Sequence, residues 1–236
     1  MENYVASKKS KDFWGMDGKL KSFEKFAHTY GEYNVIQKKI IKKYFPLLKN
    51  RIVDLGCGSE GLCKYKEFDF YLGIDNSAEM LKRNPCNTLK ADFNDKECFE
   101  TIKKYDFEQI VSFSALQWAR DLREVFFNIK GLKKEYIISL FTSNTFSSLH
   151  KELSITSPIY SYSEIMECAG VLNPDKIETL RFKMEFSSPK EMLNYIRYSA
   201  VSGNVHVSPA KLRNFLKTFR VRFLEFETVV LIGGTL

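Results

Sequence analysis

The chain of 236 residues lacks the features that mark several large classes of protein. It has no run of about 18 apolar residues, so neither a membrane-spanning helix nor a membrane partner is expected. Its start, Met1 to Lys11, is polar and has no apolar segment of a secretory signal. The five cysteines form no C-x-x-C pair. We therefore expect reduced thiols in a cytoplasmic protein, with no disulfide framework and no metal site.

Long blocks of like charge and nucleic-acid-binding motifs are also missing, although the formal net charge is +7. The lysines are spread along the chain in short pairs such as Lys38-Lys39 and Lys103-Lys104, as is typical of solvated helix faces. A basic surface favours an anionic partner. Without a known binding motif, we do not expect that partner to be nucleic acid.

Length and composition indicate one α/β domain. With 44% hydrophobic residues, the chain can bury a single sizeable core. We expect a flexible N-terminus over residues 1–21. We expect one domain over residues 22–236, because the chain has no internal repeat and no low-complexity segment. Amphipathic patterns at residues 22–48 and about 187–219 predict helices that form a lid.

Apolar runs alternate with amphipathic segments, which predicts a mostly parallel, twisted sheet with helices on both faces. The helix between the first two strands must be short, because few residues separate them. The predicted strands are Arg51–Leu55, Tyr71–Asp75, Thr88–Ala91, Phe107–Phe113, Tyr136–Phe141, Ile177–Phe186 and a β-rich end at Arg220–Ile232. The predicted helices after the first strand include Ser77–Arg83, Leu122–Ile129 with Gly131 as C′ residue, Ser161–Ala169, Pro189–Ala200 and Pro209–Phe219.

A glycine-rich turn follows the first predicted strand. The turn reads Asp54-Leu55-Gly56-Cys57-Gly58, and the second strand ends at Asp75, 21 residues after Asp54. Glycines let the backbone approach a ligand where a Cβ would collide. A carboxylate at the tip of the second strand can accept both hydroxyls of a ribose. The pattern therefore indicates a cofactor that contains adenosine.

Two cofactor families use this layout, and the position of the acid separates them. Turns that bind NAD usually have no acid before the first glycine, whereas Asp54 precedes Gly56 here. A carboxylate suits a cationic ligand better than a pyrophosphate, because like charges at close range are costly. Gly56, Gly58 and Gly61 still form a G-x-G-x-x-G. A nucleotide oxidoreductase and a glycine turn without a ligand therefore both remain as alternatives.

Four polar residues fall at the ends of successive predicted strands: Asp54, Asp75, Asp92 and Ser114. Ligands of parallel sheets bind at the carboxyl ends of the strands, near the point where the strand order reverses. We therefore expect all four side chains on one rim of the sheet. Their convergence on one rim is stronger evidence for a ligand site than any single motif.

The order of the acid and glycines resembles motif I of the class I S-adenosylmethionine-dependent methyltransferases, which have a Rossmann-like fold. Several further segments, taken in order, resemble the malonyl-[acyl-carrier-protein] O-methyltransferases of biotin synthesis. Those segments are the helix Phe26–Gln37, the run Ala115-Leu116-Gln117-Trp118 with Asp121, the stretch Thr145–Leu153, the segment Ser188–Leu193 and the tripeptide Ser202-Gly203-Asn204. The run after strand four is the most specific of them.

This resemblance implies transfer of a methyl group from S-adenosyl-L-methionine to the free carboxylate of malonyl-acyl carrier protein, an acidic partner. An ionised carboxylate needs no general base. Asp75 would bind the ribose, and Asp92 with Phe93 would bind the adenine. Asp54 would orient the glycine loop and the ammonium group. The implied cofactor-binding residues are Asp54, Gly56, Gly58, Asp75, Asn76, Asp92, Phe93, Ser114 and Gln37. Positioning residues of the catalytic site would be Tyr30, Gln117 and Trp118.

Two other functions remain open for such a fold. One is methylation of another small acid or a quinone precursor, and the other is binding of S-adenosylmethionine without catalysis. A nucleic-acid methyltransferase is disfavoured, because no N-P-P-Y tetrapeptide follows the fourth strand. Basic residues of the lid are hypothesised to meet the carrier protein or its phosphopantetheine phosphate, namely Arg181, Lys183, Lys190 and Arg197.

Overall fold

A seven-stranded sheet organises the part of the chain that the computed structural model describes, residues 33–199 and 207–234. Its spatial order is β3-β2-β1-β4-β5-β7-β6. The strands are β1 (Arg51–Leu55), β2 (Phe70–Asp75), β3 (Thr88–Lys90), β4 (Gln109–Phe113), β5 (Glu135–Phe141), β6 (Lys176–Glu185) and β7 (Phe223–Gly233).

The first five strands are parallel, and the last two are antiparallel to their neighbours. β1 pairs with β2 and β4, β2 pairs with β3, and β4 pairs with β5, all in parallel. β7 runs antiparallel to both β5 and β6. Every residue of β4 is buried, as expected of a central strand covered on both faces. The predicted α/β fold with a mostly parallel sheet is confirmed.

Eight α-helices lie in the described part of the chain. They are α1 (Val35–Tyr44), α2 (Ala78–Leu81), α3 (Lys96–Ile102), α4 (Leu122–Gly131), α5 (Ser147–Leu153), α6 (Tyr162–Ala169), α7 (Pro189–Ser199) and α8 (Pro209–Thr218). The predicted boundaries agree with these within a few residues, because most of the helices start at recognisable caps. Ser77, Asp121, Ser161 and Ser208 each accept a hydrogen bond from a backbone N–H of the first turn. Helices α3 and α5 were not predicted.

Two details of the sequence prediction are wrong. A single 3-10 turn, Leu62–Lys64, stands where a short helix was expected between β1 and β2. Gly131 is the last residue of α4, not its C′ residue, and the left-handed conformation falls on Lys133, with φ of 51°. The chain therefore turns two residues later than the glycine suggested.

The prediction that all cysteines are reduced is also wrong. Cys63 and Cys86 form a disulfide, with Cα atoms 5.8 Å apart. The bond joins the 3-10 turn after the glycine loop to the loop that precedes β3. Sequence spacing could not show this pairing, because only the parallel packing of β1, β2 and β3 brings the two loops together. Cys57, Cys98 and Cys168 are free thiols.

Apolar side chains form one cluster on each face of the sheet. The first cluster contains Ile36 and Ile40 of α1, together with residues of α5, α7 and α8 such as Phe215. The second contains residues of α3, α4 and α6, such as Phe99 and Phe126. None of the described helices is long and apolar enough to cross a membrane.

The segment between β6 and β7, which carries α7 and α8, starts and ends at the carboxyl edge of the parallel strands. Phe141, the last residue of β5, pairs with Thr228. The chain enters β7 beyond that point, where Phe223 pairs with Glu185 at the end of β6. Both helices of the predicted lid are therefore attached at the rim where the predicted site residues lie. That they close over a ligand stays a prediction.

Candidate active site

The loops after β1 and β4 meet where the strand order reverses. β1 and β4 are neighbours, and their chains continue to opposite edges of the sheet. Gly56 has φ of 75°, and a Cβ added there would lie 2.1 Å from the Cβ of Ala115. No side chain fits between the two loops, so only glycine allows this contact. Sheets of this topology bind ligands in a cleft outside this switch point, and here the two loops beside it are in backbone contact.

The third glycine of the G-x-G-x-x-G pattern is Gly61, and local packing explains why it is glycine. A Cβ at Gly61 would lie 2.3 Å from the Sγ of Cys86 and 2.4 Å from the Oδ1 of Asn84. Asn84 in turn donates from Nδ2 to the carbonyl oxygen of Gly58 at 2.8 Å. Gly61 is therefore required by the packing of the disulfide-linked loops, and a nucleotide phosphate is not needed to account for it.

Asp75 ties the glycine loop to the start of α2. Its Oδ2 accepts from the N–H of Gly58 at 3.0 Å, and its Oδ1 accepts from the N–H of Ser77 at 2.9 Å. Burial raises the pKa of Asp75, the two N–H groups oppose that shift, and the nearby Asp92 carboxylate adds to it. The carboxylate is held at the tip of β2, as the sequence predicts.

Asp54 is buried, with 4% of its surface exposed. Its Oδ2 accepts from the hydroxyl of Tyr71 at 2.8 Å. Burial raises the pKa of Asp54 to about 7; the Tyr71 hydrogen bond lowers it in part, and the Asp75 carboxylate raises it. Burial, followed by the charges of Asp54 and Asp75, also raises the pKa of the Cys57 thiol, so Cys57 is not an activated nucleophile.

The loop after β3 is joined to the loop after β2 through Asp92. The Oδ1 of Asp92 accepts from the N–H and the Nδ2 of Asn94 at 2.8 and 2.7 Å. Its Oδ2 accepts from the Nδ2 of Asn76 at 3.4 Å, a long contact that leaves this oxygen open to a second donor. The half-buried ring of Phe93 reaches to within 3.9 Å of the position of a Cβ on Gly56. Asn76, Asp92 and Phe93 therefore surround one corner of the cleft.

The loop after β4 carries Ser114, Gln117 and Trp118. Ser114 has φ of 62°, an uncommon conformation for a residue other than glycine. Gln117 is buried and donates from Nε2 to the carbonyl oxygen of Ser114 at 2.6 Å. Within the described part of the chain, the Oγ of Ser114 and the Oε1 of Gln117 are buried without a hydrogen-bond partner. Trp118 is half-buried against the apolar cluster of α1 and α8.

Unpartnered polar atoms also lie on the segment that leads into α1. The Oδ1 of Asn34 and the Oε1 of Gln37 are buried without a hydrogen-bond partner among the described residues. Leaving such groups unpaired costs about 1–3 kcal/mol each. α1 shares the apolar cluster of Phe113, the last residue of β4. Tyr30, the other residue predicted on this segment, lies outside the described residues.

Sequence reasoning missed several residues that hold the site together. The Tyr71 hydroxyl binds Asp54, and Asn84 supports the glycine loop. The N–H of Arg120 donates to the Oδ1 of Asn94 at 2.7 Å and so joins the loop after β4 to the loop after β3. None of these has a local signal, because each partner comes from a different strand. Ser112, two residues before Ser114, donates to the Leu55 carbonyl at 2.8 Å and joins β4 to β1.

The four loops thus bring together groups that suit a cationic ligand containing adenosine. Burial raises the pKa values of Asp54 and Asp75, and a bound cation would favour the ionised form of both carboxylates. Gly56 and Gly61 leave no room for a Cβ. Buried oxygens of Ser114, Gln117 and Gln37 have no hydrogen-bond partner in the described residues. These features fit S-adenosylmethionine, which carries an ammonium group, a sulfonium and a ribose.

Comparison with known proteins identifies the fold class. A solved structure, that of an S-adenosylmethionine-dependent methyltransferase from Archaeoglobus fulgidus, superposes with a TM-score of 0.53 at 15% identity, covering 84% of this chain and 94% of that one. The chain therefore has the class I S-adenosylmethionine-dependent methyltransferase fold. No protein-family model matches the chain.

Two relatives agree with the resemblance seen in the motifs. The malonyl-[acyl-carrier protein] O-methyltransferase of Acinetobacter baylyi is 25% identical over 230 residues, 87% of each chain. The protein of the same name from Neorickettsia risticii is 26% identical over 202 residues, 75% of this chain and 78% of its own. The predicted resemblance, the enzyme class of S-adenosylmethionine-dependent methyltransferase and the cofactor are thereby confirmed. The residues assigned to the site stay predictions.

Proposed function

We propose that the chain transfers a methyl group from S-adenosylmethionine to the free carboxylate of malonyl-acyl carrier protein. The product is a malonyl methyl ester, which fatty-acid synthesis can extend toward a pimeloyl thioester for biotin. The names of the two relatives support this substrate. In the structure, one feature supports the proposal: acidic residues suited to a cationic cofactor lie next to a loop that contains no basic catalyst.

The acidic pocket consists of Asp54 and Asp75. When bound, S-adenosylmethionine supplies a methyl group made electrophilic by its sulfonium. Asp75 binds the ribose hydroxyls from the tip of β2, and Asp54 faces the ammonium group. Asn76, Asp92 and Phe93 line the adenine end, and Gly56 and Gly58 let the backbone approach the ligand.

The neighbouring loop, residues 114–118, reads Ser-Ala-Leu-Gln-Trp and contains no titratable side chain. A hydroxyl or amine nucleophile usually requires a base to remove its proton. A carboxylate is already ionised at neutral pH. Gln117 and Trp118 therefore have only to position the acid and exclude water. This favours a carboxylate as the methyl acceptor.

The test measures the mass of the carrier protein after reaction. The purified protein is incubated with S-adenosylmethionine and malonyl-acyl carrier protein, and we expect a gain of one methyl group, about 14 Da, with no gain on acetyl-carrier. The Asp75→Ala variant should lose this activity, since the ribose loses its acceptor. The Asp69→Ala variant is the matched control, because Asp69 is exposed and lies before β2, at the opposite edge of the sheet.

Two outcomes contradict the proposal in different ways. Cofactor binding without methylation of malonyl-carrier, but with methylation of another small acid, keeps the enzyme class and rejects the substrate. Cofactor binding without turnover on any acid supports a binding protein that has lost catalysis.

A further inference from the structure

A cationic surface covers the outside of α8 and the turn that follows it. We call this the α8 surface, and its residues are Lys211, Arg213, Lys217, Arg220 and Arg222. All five are exposed. Arg213 and Lys217 are one helical turn apart, on the side of α8 opposite the fully buried Phe215. Their charges therefore point away from the core.

The stretch that contains the α8 surface has no negative charge of its own. Between Glu191 and Glu225 the chain has no Asp or Glu, whereas it has six Lys or Arg residues. The net charge of the whole chain is +7, so almost the entire excess belongs to this one stretch. A local concentration of this kind differs from the scattered lysines of a solvated surface.

Two of the four basic residues hypothesised earlier to meet the carrier protein already have acidic partners. Arg181 donates from Nε to the Oε2 of Glu227 at 2.9 Å, and Lys183 donates to the Oε1 of Glu185 at 2.9 Å. None of the five residues of the α8 surface forms an ion pair within the described residues. Their charge is thus available to an external anion. The side chain of Arg197 is outside the described part.

The α8 surface lies on the substrate side of the cleft. α8 is attached at the carboxyl rim through β6 and β7, which follow β5 in the sheet, while the carboxylates of Asp54, Asp75 and Asp92 lie on β1, β2 and the loop after β3. The rim is therefore acidic where a cationic cofactor would bind and basic on the far side. Leu216, 41% exposed, adds an apolar contact beside Arg213. Apolar anchors with surrounding Arg are typical of protein interfaces.

We infer that the α8 surface is the docking site for an acidic protein face, that of the carrier which presents the methyl acceptor. This inference rests on the proposed function for the identity of the partner. The positive surface accelerates encounter and orients the carrier, so that its thioester arm enters from the side of β5 and β7.

The experiment measures binding and turnover separately. Fluorescence anisotropy of labelled holo-acyl carrier protein gives Kd, and methyl transfer is assayed with malonyl-carrier and with malonyl-pantetheine, which lacks the protein. For the double variant Arg213→Glu/Lys217→Glu we expect Kd for the carrier to rise about tenfold or more at about 50 mM salt, with the difference shrinking at high salt. Turnover of malonyl-pantetheine should stay at the wild-type level.

The double variant Lys104→Glu/Lys130→Glu is the control, because it changes the net charge equally at exposed positions near the amino ends of β4 and β5. Equal carrier binding by both double variants and wild type overturns the docking site. Binding of RNA or anionic vesicles by the wild type, without binding of the carrier, also overturns it. If carrier binding depends on the α8 surface but no methyl is transferred, the docking site stands and the proposed reaction fails.

Discussion

The pKa of Asp54 predicts that cofactor binding depends on pH near neutrality. Burial raises this pKa to about 7 in the free protein. A cation bound in the cleft favours the ionised carboxylate and lowers the pKa again. The ligand therefore binds the ionised form, and its affinity should rise with pH until Asp54 is ionised in the free protein.

The magnitude follows from the ionised fraction of Asp54. With a pKa of about 7, about nine tenths of the free protein is ionised at pH 8 and about one tenth at pH 6. The Kd for S-adenosylmethionine should therefore be about tenfold higher at pH 6 than at pH 8. Binding at pH 6 should release close to one proton, and binding at pH 8 about a tenth of one.

Isothermal titration calorimetry measures both quantities. Titrations in two buffers with different ionisation enthalpies give the number of protons released, and the same data give Kd. The Asp54→Asn variant should lose the pH dependence and bind weakly at both pH values. In Tyr71→Phe the hydrogen bond that lowers the pKa is missing, so the pH midpoint should move upward. Asp69→Asn, with its exposed carboxyl, should behave as wild type.

One result refutes the reasoning. If wild type and Asp54→Asn bind S-adenosylmethionine equally well from pH 6 to pH 8 with no proton release, then Asp54 does not face the cationic part of the cofactor. The ammonium group must in that case be held elsewhere, and the assignment of Asp54 to the site is wrong.

Three further changes test the packing around the cleft. Gly56→Ala should lower the free energy of unfolding by about 2 kcal/mol or more, because its Cβ would lie 2.1 Å from that of Ala115 and its φ is 75°; unchanged thermal unfolding would contradict the contact. Gly131→Ala should instead raise the free energy of unfolding by about 0.5–1 kcal/mol, because Gly131 is helical and, apart from its chain neighbours and the nearby helix backbone, no described atom lies within 4 Å of the added Cβ; denaturant titration measures this. Loss of the Cys63–Cys86 disulfide, which spans 23 residues, should lower it by about 3 kcal/mol. A reductant should lower the free energy of unfolding of the wild type by this amount and leave that of Cys86→Ser unchanged. An equal change in both proteins would disprove the bond.

Local patterns were enough to predict the strands and most of the helices. Strand β1 was predicted with its observed bounds, since an apolar run ends there at a glycine turn. A helix was predicted to begin at Ser77, and Ser77 is its N-cap, accepting from the N–H of Met80. Both depend on neighbours in the chain, which is why they can be seen in the sequence. Helix α3 was missed, because its short amphipathic pattern follows a loop whose residues fold around Asp92.

The contacts between loops required the tertiary structure. The Tyr71 hydroxyl, the Asn84 amide and the Cys63–Cys86 bond all join segments that meet only when parallel strands lie side by side. The raised pKa of Asp54 likewise depends on burial under such segments.

The sequence by itself determined the class of fold, the order of acid and glycines that selects a cationic cofactor, and the positions of the carboxylates at strand ends. These follow from residue spacing, because the strand period and the conformational freedom of glycine are local properties. Only the tertiary structure decided which groups Asp54 and Asp75 contact, which thiols are paired and where the cationic surface lies. Those properties arise from distances between residues far apart in the chain, and distance in space sets both electrostatic energy and packing.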